Sequence, residues 1–410
     1  MTVHLLTADR IFDGSDFVVN QPVPVADGVI AATADGLIER HDFPGCTILP
    51  GFIDTHVHLI FSALDTHPAI VEQVTRETDE ELLARALSNA RAALHAGVTT
   101  VRDCGGKKNI VQRARDIIRR ASGFTPEVQG ADILSCGMPI TTTHGHCNWL
   151  GLIANGETEA VRAAERMLAE DADFLKVMAT GGNMTPSSDP FAAQYDDATL
   201  ARIVEVGRKA NRHTAAHVLS RAAMPGAVAA GVRTIEHCDW RVRPPDHYEF
   251  DPELARQMID RQQFAGLTMT GPTRRAFLPR AAELYPDLMR QLDVRFECER
   301  RMIDFGVRYT LHSDAGVRLT PIDRYALGLR AAALELHLTP REVLTAATRT
   351  PAEALGLSDR GVIAPGKRAD LLVVEGNPQT DLGSLEKVRA VMQAGKWVVL
   401  SACGLARPVC

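Results

Sequence analysis

No basic run longer than two residues occurs anywhere in this sequence. Its 45 lysines and arginines are interspersed with 51 acidic residues, for a formal charge of -6 and a pI near 6.2. A polyanion such as nucleic acid finds no basic tract to dock on, so none is expected as a partner. The opening MTVHLLTADRIFDG lacks the basic start, apolar core and small-residue cleavage site of a secretory signal. Apolar runs stay well short of the ~20 residues that span a bilayer, so no membrane partner is expected. The eight cysteines (46, 104, 136, 147, 238, 298, 403 and 410) include no C-x-x-C pair. They read as reduced thiols in the cytoplasm, and Cys147 and Cys238 as small buried residues. Internal repeats and low-complexity segments are missing too, and no glycine-rich phosphate turn follows the first candidate strand, which disfavours a doubly wound nucleotide fold.

What the chain does contain is an ordinary globular balance, 45% hydrophobic and 23% charged, over 410 residues, room for one large domain and a small one. The stretch TILPGFIDTHVHL, 47–59, organises the reading. Side chains at i and i+2 share a face of a strand, so His56 and His58 project together, with Asp54 and Phe52 on the same side. Before it, residues 1–49 are short apolar stretches broken by Gly and Asp. The C-terminal end repeats that pattern in 369–377 and 388–401, where Ala394-Gly395 suggests a hairpin. Neither end buries a core alone, so the two are expected to join in one small sheet.

Between the ends, strand, loop and helix alternate. Candidate strands are 52–58, 98–104, 127–134, 173–179, 212–218, 232–238, 264–270 and 307–314, with amphipathic runs such as ETDEELLARALSNARAALHAG between them. Gly97, Gly231 and Gly306 each precede a strand, as in an αβ turn. Eight such units in about 260 residues predict a (β/α)8 TIM barrel, which puts chemistry at the C-terminal strand ends. Those ends carry His56 and His58, Lys176, His217, His237 and Asp314. Each alone has a plainer reading: a hydrogen-bonded histidine, a helix-capping aspartate. Six together at one end of five strands point to a metal site, and imidazole with carboxylate suits zinc.

At these residues the chain resembles the amidohydrolase superfamily. PGFIDTHVH, the strand-four lysine in KVMATGG, the two later histidines and HSDAG carry the resemblance, and LTAATRTPAEALGLSDRGVIAPGKRADLLVVEGNP looks like the family's closing helix and return into its small domain. The wording is most similar to the branch of prolidase-like dipeptidases, carboxypeptidases and imidazolonepropionase relatives. The resemblance implies a barrel over 50–360 and a composite β-sandwich from 1–49 and 361–410. It implies two divalent cations, zinc first among them. His56, His58 and Asp314 would hold one and His217 and His237 the other, with Lys176 carboxylated by carbon dioxide as the bridge. The expected reaction is cleavage of a C–N amide bond by metal-activated hydroxide, with Asp314 moving the proton to the leaving nitrogen.

For the substrate, a small N-acyl amino acid or dipeptide-like amide, the candidate contacts are His144 and His146 in TTTHGHCNW, loop donors to an oxyanion or substrate carboxylate, with Arg274 in the loop GPTRRAF, and Trp240; His144 is counted with Asp314 as a catalytic candidate. Arg275, Arg318 and a lid over 181–195 stand beside them. HCDW places Trp240 near where dipeptidase-like relatives often have a tyrosine, which opens the alternative of a non-peptide amide, carbamate, urea, cyclic amide or aryl amide. A mononuclear deaminase and a noncatalytic scaffold are the remaining alternatives. A homo-oligomer is expected.

Overall fold

The computed structural model describes residues 2–120, 128–244, 247–277 and 286–400. Glu127, Ser401, Cys403 and Cys410 lie outside the described residues. Eight core strands run in chain order: β1 Phe52–Val57, β2 Val98–Asp103, β3 Asp132–Ser135, β4 Leu175–Met178, β5 Thr214–His217, β6 Thr234–Glu236, β7 Phe264–Thr268 and β8 Tyr309–His312. Seven of them lie inside their expected stretches. The exception, β3, follows a turn and loop at 128–131 and ends at Ser135, one residue past its stretch.

β1, β2 and β3 pair in parallel, as do β4 through β8 in chain order. The end of β8 lies against β1: Asp314 N donates to His56 O at 2.9 Å and His58 N to Ala315 O at 2.8 Å. Beside β3, Asp173 N donates to Ser135 O at 2.8 Å. Strands β1, β2 and β4 through β7 are buried along their full length, as parallel strands covered on both faces must be.

The connecting helices start where the sequence offers caps. Thr78 and Glu81 form a capping box on Asp79–His95, and Asp196 accepts from Thr199 N at the start of Asp197–Lys209. Gly97, Gly231 and Gly306 have φ of 91°, 79° and 100°, a left-handed turn into the next strand that a side chain would resist. The segment after β7, read from sequence as a loop, is the helix Thr270–Phe277.

Both chain ends join in one eight-stranded sheet. Its order is Lys396–Leu400, Val388–Gln393, Leu371–Glu375, Leu37–Pro50, Thr2–Phe12, Val23–Ala26 and Val29–Ile30, with Phe17–Val19 also paired to Thr2–Phe12. Ala394 and Gly395, with φ of 48° and 76°, make the expected hairpin turn. Leu6, Val25, Ile48, Leu371 and Met392 belong to this sheet's own apolar cluster. Among the described residues six cysteines are buried thiols, and no helix is long and apolar enough to cross a membrane.

Asp132, on β3, ties the return segment to the core. It accepts from Arg360 at 2.7 Å and from Arg368, while Arg368 also lies 3.0 Å from Asp370. Burial opposes its charge, but Arg368 and Arg360 outweigh it and hold the carboxyl below the usual aspartate value. Removing one member of a buried pair costs about 3–5 kcal/mol. With 25% of the Asp132 side chain exposed, Asp132→Ala should cost about 2 kcal/mol. A depressed folded pKa contributes stability above the unfolded value of about 3.9 and loses it as pH falls through the folded value. Thermal unfolding should therefore show the variant's deficit at pH 7 and a smaller one under acid.

Candidate metal centre

The C-terminal strand ends open onto a cavity of about 170 Å³. His56, His58, Lys176, His217, His237 and Asp314 all line it, so the structure brings the six expected residues together. Their nitrogens and oxygens approach in two groups. His58 Nε2 and His56 Nε2 lie 3.3 and 3.6 Å from Asp314 Oδ1. His217 Nδ1 lies 3.0 Å from His237 Nε2. Bonds of about 2.0–2.1 Å to one tetrahedral ion would set its donors roughly 3.3 Å apart, so both groups have the spacing of a shared coordination sphere.

The outward face of each ring is engaged as well. His56 Nδ1 meets Glu236 Oε2 at 3.0 Å, His58 Nδ1 faces Gly105 O at 3.3 Å, His217 Nε2 faces Gly181 O at 3.2 Å and His237 Nδ1 meets Thr268 Oγ1 at 2.7 Å. A carbonyl or carboxylate can only accept, so the His56, His58 and His217 nitrogens facing one carry the proton. Their lone pairs are left facing inward, the arrangement that orients metal-binding histidines. Burial lowers the His56, His217 and His237 imidazoles well below their usual range, so these rings are neutral and able to coordinate at pH 7. Burial opposes the charge of Asp314, yet the imidazoles of His56 and His58 hold its carboxyl well below the ordinary value. Lys176 Nζ is buried with no hydrogen-bond partner among the described residues.

Two of these residues sit in strained backbone. His237 has φ of 66° and Asp314 of 53°, left-handed conformations that cost on the order of 1–3 kcal/mol and concentrate at functional sites.

A supporting group was not anticipated from sequence. Glu236 is fully buried between His56 and Arg102, whose Nη2 donates to its Oε1 at 2.5 Å. Arg102 also donates to Thr55 O at 2.6 Å and Thr234 Oγ1 at 2.9 Å. Burial pushes the Glu236 carboxyl up, but Arg102 and Lys176 outweigh it and hold it at about 2. His312, lowered by burial to about 4, lies 3.7 Å from Glu236 Oε2. Gly266 on β7 makes room, since a Cβ there would lie 2.9 Å from Glu236 Oε2 and 3.1 Å from the His312 ring. Asp54, on the same strand face as His56, is raised by burial to about 7. It accepts from Ser313 N at 3.1 Å and from the Ser313 hydroxyl, so it holds the β8 loop and does not line the cavity.

The substrate-side expectations divide. His146 lines the cavity and stacks on His217 with ring centroids 4.4 Å apart, whereas His144 is exposed and outside the lining. Trp240 is 1% exposed and packs edge-on against Phe250, away from the cavity, while its neighbours Asp239 and Arg241 and the later Tyr248 line it. Arg274 lines the cavity. Arg275 instead pairs with Glu335 at 2.6 Å and with Asp293, and Arg318 is outside the lining. Within the expected lid, Asn183 and Met184 reach the cavity. Arg241 and Arg295, unforeseen, line the cavity with Arg274, and Arg295 also pairs with Glu299 at 2.8 Å.

In a parallel α/β fold, a polar cavity at the C-terminal strand ends is where chemistry is carried out. The chain belongs to the amidohydrolase family, which it matches over residues 47–398, and it acts on carbon–nitrogen bonds. It is 25% identical to an ochratoxinase of Aspergillus niger over 385 residues, 85% of this chain and 74% of the relative. Its identity to an imidazolonepropionase of Deinococcus deserti is 25% over 389 residues, 90% of each chain. A crystal structure of a Xaa-Pro dipeptidase with bound methionine superposes with a TM-score of 0.81 at 24% identity, covering 96% of this chain and 99% of that one. These neighbours imply an α/β TIM-barrel fold. Divalent cations are usual in the family, and the candidate ligands are present here.

Glu236→Gln removes the anion that orients His56 and leaves the Arg102 guanidinium buried without its partner. Losing such a supporting group typically costs 10- to 100-fold in metal affinity. Zinc retention through dialysis should fall by about that factor, together with the melting temperature. Retention equal to wild type would detach Glu236 from the centre.

Proposed function

We propose that this protein hydrolyses the amide bond of a small N-acyl amino acid or dipeptide-like substrate at a binuclear metal centre. The observation that carries the reading is one cavity lined both by the six candidate ligands and by Arg241, Arg274 and Arg295. Guanidinium groups are the natural partners of a carboxylate, so a substrate anchored there would present its amide to the histidine side.

His56, His58 and Asp314 would hold one cation and His217 and His237 the other, with Lys176 between them. A buried ammonium without a partner is costly, and carboxylation by carbon dioxide would turn Lys176 into an anion with two oxygens to offer. Bound there, two divalent cations, zinc by donor preference, would activate water and polarise the scissile carbonyl. The rest falls to the chain. Asp314, held ionised, accepts the proton of the attacking water and returns it to the departing nitrogen, which leaves poorly unless protonated. His146, stacked on His217, takes the substrate-facing part expected of His144. Asn183 and Met184 would cover the bound substrate. The same reading takes 50–360 as a barrel closed through the β1–β8 and β3–β4 seams, and 1–49 with 361–410 as the β-sandwich. It makes the enzyme cytoplasmic and homo-oligomeric.

Asp314→Asn should lower turnover by about 10²- to 10⁴-fold while zinc content stays near wild type. Near-normal turnover would remove Asp314 from proton transfer. The substrate class is tested by zinc-loaded protein on a panel of N-acyl amino acids, dipeptides, carbamates and aryl amides, each carboxylic acid paired with its ester. Acids should be cleaved markedly faster than esters. Equal rates would hand the reading to neutral amides, carbamates or ureas.

A further inference from the structure

A second group of metal-type donors lies in the terminal sheet, and none of its members lines the cavity. Thr2–Phe12 pairs in parallel with Leu37–Pro50 so that His4 stands opposite Glu39 and Leu6 opposite His41. Glu39 and His41, two apart on one strand, share a face. His4 Nδ1 lies 3.1 Å from His41 Nε2 and 3.4 Å from Glu39 Oε2, and His41 Nε2 lies 3.5 Å from Glu39 Oε1. Each ring thus faces a different oxygen of the Glu39 carboxylate as well as the other ring, which is more than a hydrogen bond between two rings requires. Bonds of about 2.0–2.1 Å to a tetrahedral zinc would again place its ligand atoms roughly 3.3 Å apart; the two rings already have that spacing, and one ligand atom from each of the three residues lies within 4.8 Å of the others.

We propose that His4, Glu39 and His41 form a divalent-cation site, best matched to zinc, with water completing the coordination. The side chains of His4 and Glu39 are 27% and 56% exposed, so the cation enters from solvent, while His41 is 11% exposed and fixed from behind. Its ring lies 5.1 Å from the ring of Trp397, edge to face, which limits how far it can turn. Burial lowers the His41 imidazole, outweighing the pull of Glu39. A cation held this way clasps two neighbouring strands of the sheet and, binding only the folded register, stabilises it.

The test uses the full chain, zinc-loaded and dialysed, titrated with Zn²⁺ by equilibrium dialysis. Wild type should take up one equivalent more than the double variant His4→Gln/His41→Gln, and Lys176→Ala should keep that equivalent. The double variant should retain wild-type hydrolase activity, which also reports that it folds. Glu39→Gln, mostly in solvent, should weaken the same equivalent without disturbing the packing. As an independent readout, Cu²⁺ should quench the Trp397 share of the tryptophan emission in wild type, and neither the double variant nor Trp397→Phe should show that component. Equal zinc stoichiometry in wild type and double variant, or quenching that survives the double substitution, overturns the proposal.

Discussion

A carboxylate enclosed on all sides holds the centre of this molecule together. Glu236 is shared between Arg102 and His56, at 2.5 and 3.0 Å, with no exposure to water. Either charge alone would be costly at such depth, because a buried ion without a counter-ion loses its hydration and gains nothing in return. Together they fix three strands at once: β1 through His56 and Thr55, β2 through Arg102, β6 through Glu236 and Thr234. They also decide which nitrogen of His56 faces inward. The pair therefore sets both the register of the strands and the chemistry of the ring.

Much of this was legible in the sequence because strand alternation is a short-range rule. His56 and His58 share a face, and asking what ends each later strand reaches Lys176, His217, His237 and Asp314 without any knowledge of packing. The same rule hides Glu236. Alternation would send it and the adjacent His237 to opposite faces, and a reading that keeps His237 inward discards its neighbour. The structure keeps both, because the backbone turns left-handed at His237 and Cys238, with φ of 66° and 45°. Nothing in the letters IEHC announces that torsion.

Loops follow no such rule, and there the reading was least able to choose. His144 and His146 are two apart, but Gly145 N donates to Thr142 O in a turn, which leaves His144 in water and His146 against His217. Trp240 turns into the apolar contact with Phe250, and Tyr248 reaches the cavity from a short hairpin arm. Arg295 comes from the distant helix Pro286–Asp304, where no local pattern sets it apart from the arginines around it.

The terminal sheet is more than an appendage, because its longest strand runs directly into the site. Leu37–Pro50 is separated from β1 only by Gly51, whose N–H donates to Asp370 O at 2.8 Å. His41 and His56 thus lie on one nearly continuous extended segment, the first in the sheet and the second among the candidate ligands. Sliding that segment along its axis would displace His56 and His58 relative to Asp314 at the end of β8 and break the bond from Asp314 N to His56 O. The pairing with Thr2–Phe12 on one side and Leu371–Glu375 on the other resists such a slide, since a one-residue shift would turn every side chain to the wrong face. What the small sheet supplies is axial position. A centre whose donors must meet within a few tenths of an ångström depends on it as much as on the imidazoles themselves.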